Sequence, residues 1–155
     1  MSVRKIPKNR ITKDGRSYAF IVTEYGLDGK RHQHQSKAYM TYEEALTQIG
    51  VDVDATLTRF SGNASLMQRF VLKFPQDKTL DALKAAVEKK DYHELEETSH
   101  TLKGVSGNLG FTELYKRSAA LCNAVREEQY AKADELSPKV IELADSIVAI
   151  LSAVQ

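Results

Sequence analysis

The stretch that decides the fold runs from Tyr92 to Gly110 and reads YHELEETSHTLKGVSGNLG. Apolar and small residues recur in it at spacings of three and four, the pattern of a helix with one buried face. We predict a helix over residues 91–108, closed by Gly110. The predicted core face consists of Tyr92, Leu95, Ser99, Leu102, Ser106 and Leu109.

His100 lies away from this core face. Each residue advances a helix by about 100°, which places His100 roughly 140° from the core direction and Lys103 at the edge of the His100 face. Gly104 and Gly107 share that face. A glycine inside a helix costs about 1 kcal/mol relative to alanine, so two glycines beside a solvent-facing histidine indicate a surface that another protein approaches. The alternative is a solvated helix face that carries a histidine without function; His93, two turns earlier, is interpreted in that way.

The chain on either side of this helix predicts further helices. Thr41 and Glu44 form a capping box that opens one over residues 42–49. Thr79 and Thr112 are the predicted N-caps of two others. The remaining predicted segments are 53–60, 64–75 (with Leu66, Phe70 and Phe74 buried), 80–90 (with Leu80, Leu83 and Val87 on one side), and a helix after Thr112 that presents Leu114, Ser118, Leu121 and Val125.

The last predicted helix carries a heptad pattern, interrupted near its start by Pro138. Either Ser137 is the N-cap and Pro138 the first helical residue, or Pro138 kinks a longer helix that begins near Tyr130. Helices of this length joined by short loops pack as an antiparallel bundle. The predicted apolar stripe consists of Leu136, Val140, Leu143, Ile147, Ile150 and Val154.

Charge divides the chain into two parts. Residues 1–40 carry nine Lys and Arg against three acidic residues, whereas the remainder has a net charge of −5 within a total of +1. Residues 16–25 and 32–39 favour two β-strands around the turn Gly26–Gly29, and residues 10–13 are a candidate third strand. We therefore predict a mostly α protein. An antiparallel four-helix bundle over residues 40–155 follows a basic β-hairpin or three-stranded sheet over residues 1–39.

Several classes of protein are excluded by what the sequence lacks. It has no apolar run long enough to span a bilayer and no leader peptide, so we expect a cytoplasmic protein without membrane contact. It has no glycine-rich nucleotide loop, so we expect no ATP binding. The single cysteine, Cys122, is predicted to be a buried thiol. His32 and His34 would need metal ligands from elsewhere, and we predict no metal site.

Residues 100–111 (HTLKGVSGNLGF) resemble the signature of histidine-containing phosphotransfer (HPt) domains of bacterial phosphorelays. Residues 40–46 and 66–74 are similar to the opening helices of free-standing members. The resemblance implies that His100 carries a phosphoryl group, that Lys103 lies beside that group, and that Gly104 clears space for the partner. We expect Gly107 to help form the same docking surface. It also implies a phosphocarrier rather than an enzyme, without a cofactor, whose partners are the receiver domains of a hybrid sensor kinase and a response regulator.

Histidine chemistry agrees with this implication. An ordinary exposed histidine has a pKa near 6.5 and is mostly neutral and nucleophilic at pH 7. Once phosphorylated it carries close to two negative charges, which a lysine one turn away stabilises.

The rival hypothesis is a nucleic-acid-binding protein with a structural bundle. Residues 28–45 resemble the arm-type DNA-binding domain of phage integrases, and a basic sheet with Tyr18, Phe20 and Tyr25 suits a phosphate backbone. The alternative to a DNA contact through residues 1–39 is that these residues form a hairpin that packs its apolar face on the bundle. Of the two, the residues favour the hairpin.

Overall fold

The structure, a computed structural model, describes residues 21–25, 31–35 and 40–154 of the chain. Within them, two β-strands precede seven α-helices. No helix in this part of the chain is long and apolar enough to cross a membrane. The elements are β1 (Ile21–Tyr25), β2 (Arg31–Gln35), α1 (Tyr42–Ile49), α2 (Val53–Arg59), α3 (Ala64–Lys73) with a 3-10 turn at Phe74–Gln76, α4 (Thr79–Lys89), α5 (Tyr92–Leu109), α6 (Thr112–Arg126) and α7 (Tyr130–Ser152).

The two strands pair antiparallel, with Ile21 opposite Gln35 and Tyr25 opposite Arg31. They fall within the predicted strand segments 16–25 and 32–39, except that β2 begins one residue earlier. The candidate third strand at residues 10–13 and the turn between the strands lie outside the described residues. The side chains of residues 1–39, on which the predicted DNA contact depends, also lie outside what the structure describes.

Helices α4 to α7 form the bundle. Ion pairs between neighbouring helices show in which direction each helix runs. Glu96 near the start of α5 binds Arg126 at the end of α6, so these two neighbouring helices run antiparallel. Lys84 pairs with Asp145, and Lys90, which follows α4, pairs with Asp134 near the start of α7. Helices α4 and α7 are therefore antiparallel as well and close the ring, as an antiparallel four-helix bundle requires.

The predicted helix around His100 is confirmed to within one residue at each end. Leu95, Ser99, Leu102, Ser106 and Leu109 are all buried, and Tyr92 is half-buried. The predicted stripe of α6 is buried in full: Leu114, Ser118, Leu121 and Val125. The thiol of Cys122 is buried and free, as predicted.

Helix α7 follows the second of the two predicted alternatives, because it runs through Pro138 from Tyr130 without a break. The Ser137 hydroxyl, buried at this point, donates a hydrogen bond to the Ala133 carbonyl at 2.7 Å. The predicted stripe is only partly right. Val140 and Ile147 are buried, whereas Leu136, Leu143, Ile150 and Val154 are half-buried. The buried row is Ala133, Ser137, Val140, Ala144, Ile147 and Leu151. Small side chains, Ala133, Ser137 and Ala144, make up half of this row.

Two further expectations were wrong. Phe70 is 48% exposed, because α3 turns Met67 and Val71 to the core instead. Thr79 does not cap α4: it is the first helical residue, and its amide donates to the Asp77 carboxylate at 2.8 Å.

The cap of α6 also differs from the prediction. Phe111 occupies the N-cap position without a side-chain hydrogen bond, and Thr112 is the first helical residue. Phe111 is buried there, with its ring edge-on to Phe74 at a centroid distance of 5.1 Å. Packing of an aromatic side chain therefore takes the place of a polar cap.

The start of the bundle is tied to its end. The Met40 amide donates to the Ala153 carbonyl at 3.1 Å, and the Met40 side chain is buried. The predicted capping box follows at once, with reciprocal hydrogen bonds between Thr41 and Glu44. Residue 40 is therefore an ordered beginning of the helical part.

Candidate functional site

Helix α5 is defined at both ends by its sequence. The Asp91 carboxylate accepts a hydrogen bond from the Glu94 amide at 3.1 Å and caps the first turn. Gly110 ends the helix with φ at +76°. A side chain at Gly110 would collide with the Thr56 hydroxyl and lie 3.0 Å from Val51. These two ends place His100 near the middle of the helix, between the buried residues Ser99 and Leu102.

The His100 side chain is exposed to solvent, as predicted from the helical wheel. Lys103 follows one turn later and is half-buried. A half-buried lysine keeps its ammonium group in water while its methylene stem packs on the helix surface. The structure therefore leaves the imidazole accessible, with a lysine one turn later on the same side of α5.

A second cation, which the sequence analysis missed, contacts the histidine directly. Nη2 of Arg126, from the end of α6, lies 3.4 Å from Nδ1 of His100. Nε of Arg126 donates to Oε1 of Glu96 at 2.7 Å, and Glu96 is one turn before His100 on α5. The hydrogen bond to Glu96 and the nearby Cys122 raise the pKa of Arg126 above its ordinary value. The guanidinium is thus held in place as a permanent donor.

The sequence does carry a signal for the pairing of Arg126 with Glu96. Helices α5 and α6 are joined at Gly110 and Phe111, and Glu96 and Arg126 stand at nearly equal distances from that turn. In an antiparallel helix pair, residues equidistant from the turn come opposite each other. Applying this rule to α5 and α6 places Arg126 opposite Glu96, one turn before His100.

The two glycines on the His100 face have different surroundings. A Cβ atom at Gly104 would have nothing within 4 Å, so the surface beside His100 is open there. A Cβ atom at Gly107 would lie 3.1 Å from Cδ2 of Tyr115. Gly107 therefore makes room for a tyrosine ring of its own chain, whereas Gly104 leaves space that nothing in the described part of the chain fills.

His93 takes no part in this cluster. Its Nε2 lies 3.6 Å from Oε1 of Glu97, and both side chains are highly exposed. Such an i,i+4 pair on a solvated face contributes little to stability. The interpretation of His93 as a surface residue agrees with this geometry.

A cleft of about 540 Å³ lies farther along α5, toward its end. Phe60 and Phe70 form one wall, with their rings 5.6 Å apart, and Val105 and Asn108 belong to the other. Phe70 is exposed along this cleft, where its ring packs against Phe60 at an interplanar angle of 38°.

The chemistry available at His100 is that of an exposed nitrogen nucleophile among cations. Arg126 contacts the ring and Lys103 follows one helical turn later on α5, so positive charge is near a group that gains negative charge. Within residues 40–154, no three His, Cys, Asp or Glu side chains come together in a group that could hold a metal ion. The site thus offers a nucleophile and charge stabilisation from its own side chains.

Comparison with known proteins agrees with this chemistry. The family model described as the Hpt domain matches residues 66–153, from α3 to the end of α7, including His100 and all four bundle helices. No curated protein and no solved structure shows significant similarity to the chain. Hpt domains are phosphocarrier modules of phosphorelays that interact with receiver domains. Because the match covers more than half of its residues, the chain belongs to the Hpt domain family.

Proposed function

We propose that this protein is a phosphorelay intermediate whose phosphoryl carrier is His100. It accepts the group from an aspartate in the receiver domain of a hybrid sensor kinase and passes it to a response regulator. The observation that carries the proposal is the exposed imidazole of His100 on helix α5, within the matched region and in contact with Arg126.

The transfer needs a nucleophile and charge stabilisation from this chain. A nitrogen of His100 attacks the phosphorus of the aspartyl phosphate. A nitrogen–phosphorus bond forms as the phosphorus–oxygen bond breaks, its electron pair returns to the aspartate carboxylate, and the ring proton leaves to solvent. The phosphorylated ring carries close to two negative charges. Lys103 is proposed to stabilise them electrostatically, since it is one helical turn away.

Gly104 is proposed to let the receiver domain reach His100. Phosphoryl transfer requires the two reacting residues to approach within about 3–3.5 Å before reaction, so the surfaces around them must also meet. The open space over Gly104, one turn after His100, permits this approach. Gly107 would contribute indirectly, by seating the half-exposed ring of Tyr115 at the border of the same surface.

The proposed carrier spans residues 40–155, and residues 1–39 form a separate extension. Met40 supports this boundary, because it is buried and its amide is bound to Ala153. Docking and transfer as proposed here use residues of α5 and α6 alone, so they do not depend on the extension.

The test is phosphorylation by a receiver domain loaded with acetyl phosphate, followed by intact-mass spectrometry. The wild-type chain should gain one acid-labile phosphoryl group, and His100→Gln should gain none. The matched control is His93→Gln, which removes an exposed histidine two turns away on the same helix and should label normally.

His100→Gln should remain folded, because the His100 side chain is exposed and its loss changes stability by no more than about 0.5 kcal/mol. Circular dichroism of both variants checks this. Normal labelling of His100→Gln, or loss of labelling in His93→Gln alone, would refute the assignment.

A further inference from the structure

The cleft near the end of α5 lies outside the His100 cluster. It has a volume of about 540 Å³ and is formed by the end of α2, by α3 with its 3-10 turn, and by α5. Its first residue on α5 is Val105, about 7.5 Å along the helix axis from His100. Sites for small molecules have volumes of about 300–1,000 Å³, so the cleft is large enough to hold one.

The walls of the cleft are apolar and largely aromatic. Phe74 and Leu109 are buried where they line it, and Val105 is half-buried. Phe70 stays 48% exposed, although its ring centroid lies 5.6 Å from that of Phe60. An apolar body that entered the cleft would cover the exposed part of this ring and remove it from water, which is favourable. The walls therefore suit a ligand with an apolar body.

Two cations stand at the opening of the same cleft. Arg59 is the last residue of α2 and Lys73 the last residue of α3, and both side chains are exposed. Among residues 40–154, neither has a carboxylate within ion-pair distance, and Arg59 makes only a long hydrogen bond of 3.5 Å to Thr56. The lining has one carboxylate, Asp77, whose Oδ1 already accepts a hydrogen bond from the Thr79 amide at 2.8 Å. The charge at the opening therefore favours an anion.

From these walls and charges we infer that the cleft is a binding site for a small amphipathic anion. Such a molecule has an apolar body, aromatic or acyl, and one carboxylate, sulfonate or phosphate group. The body lies against Phe70 and Val105, and the anionic group is held by Arg59 and Lys73. Asn108, exposed on α5 at the edge of the cleft, adds an amide that can donate a hydrogen bond.

Charge also argues against the N-terminal extension as the occupant. Residues 1–40 carry nine Lys and Arg against three acidic residues, so the cations at the opening repel the extension. The inferred site goes beyond the proposed phosphoryl carrier and does not depend on it, because neither His100 nor Lys103 lines the cleft.

The test uses two fluorescent probes with the same rings and a different charge. Anilinonaphthalenesulfonate carries a sulfonate, and phenylnaphthylamine is its neutral counterpart. Titration of the full chain with the sulfonate probe should give saturable binding of one molecule per chain. The neutral probe should bind at the same place about twofold to fivefold more weakly or worse, since an exposed ion pair accounts for a factor of that size.

Variants of the lining separate the apolar part of the site from the charged part. Phe70→Ala should weaken both probes about threefold to tenfold, because about half of a phenyl side chain is no longer there to be covered. Arg59→Gln and Lys73→Gln should each weaken the sulfonate probe about twofold to fivefold and leave the neutral probe unchanged.

The matched control is Arg69→Gln, at an exposed arginine of α3 that does not line the cleft. It should bind both probes as the wild type does. Thermal unfolding checks that each variant is folded. Lys73→Gln keeps the test decisive if Phe70→Ala is destabilised, because the Lys73 side chain is exposed and carries no core contact.

Several results would overturn the inference. These are no saturable binding to the wild type, sulfonate binding that neither Phe70→Ala nor Lys73→Gln weakens, and equal loss of both probes in Lys73→Gln. If Phe70→Ala weakened the binding of a receiver domain while no probe bound, the cleft would instead be part of a protein interface. Absence of labelling at His100 would refute the carrier function and leave probe binding unchanged, so the two proposals fail separately.

Discussion

Substitution of Gly104 should separate stability from phosphotransfer. Gly104 lies inside α5, and a Cβ atom there meets nothing within 4 Å. Gly104→Ala therefore gains the full helix preference of alanine, about 0.8–1 kcal/mol, with no steric cost against it. For a helical domain of this size, that gain raises Tm by about 4 °C. Gly104→Leu should be stabilised nearly as much, because leucine is also a strong helix former.

Phosphotransfer should respond in the opposite direction. A leucine at Gly104 projects into the space that the receiver domain is proposed to occupy. Forcing such a side chain into a packed contact costs about 1–3 kcal/mol, and each 1.4 kcal/mol is a factor of about ten. We expect Gly104→Leu to slow transfer from an acetyl-phosphate-loaded receiver domain about tenfold or more, measured by rapid quench.

The control for added bulk is Ala149→Leu, at an exposed position of α7, the helix diagonal to α5 in the bundle. It should transfer at the wild-type rate. A second comparison is Gly107→Ala, whose new Cβ would press on Tyr115 and so gain less stability than Gly104→Ala. If Gly104→Ala were less stable than the wild type, or Gly104→Leu transferred normally, the reasoning about an open docking surface would be wrong.

Two further predictions concern stability. Gly110→Ala should lower the unfolding free energy by about 2–5 kcal/mol in urea titrations, because it combines a left-handed backbone with a collision against Thr56; a loss below about 1 kcal/mol would contradict this strain. The hydrogen bond from Lys90, with that from Tyr92, lowers the pKa of Asp134 below its ordinary 3.8. Asp134 therefore stabilises the fold above that pH, and the stabilisation disappears as pH falls through the lowered value. The Tm difference between the wild type and Asp134→Asn should shrink between pH 5 and pH 2, and a difference that stays constant would refute the linkage.

The sequence was most informative where large apolar residues repeat with the helical period. The predicted core faces of α5 and α6 are buried, apart from the half-buried Tyr92. Their leucines recur every three or four residues, with polar and charged residues between them, so the period stands out in the sequence. The same reasoning was only partly right on α7, where the heptad found the buried Val140 and Ile147 but also selected the half-buried Leu136, Leu143 and Ile150. A close helix contact buries small side chains, and Ala133 and Ala144 carry little weight in a hydrophobicity pattern.

Part of the candidate site also lay within reach of the sequence. The exposure of His100 and the nearness of Lys103 follow from one helix and its period. The Arg126 contact does not, because it depends on the register between α5 and α6. The different surroundings of Gly104 and Gly107 were hidden for the same reason, since Tyr115 belongs to the next helix.

The hydrogen bond between Met40 and Ala153 couples the two ends of the helical part. Chain ends usually fray independently of each other. Here opening of either end breaks the hydrogen bond that joins Met40, which is buried, to the last turn of α7. Amide exchange at the two ends should therefore be cooperative, as in a single unfolding unit. A load applied to the chain ahead of Met40 is transmitted directly to the C-terminal turn of α7, along a route that bypasses the helix carrying His100.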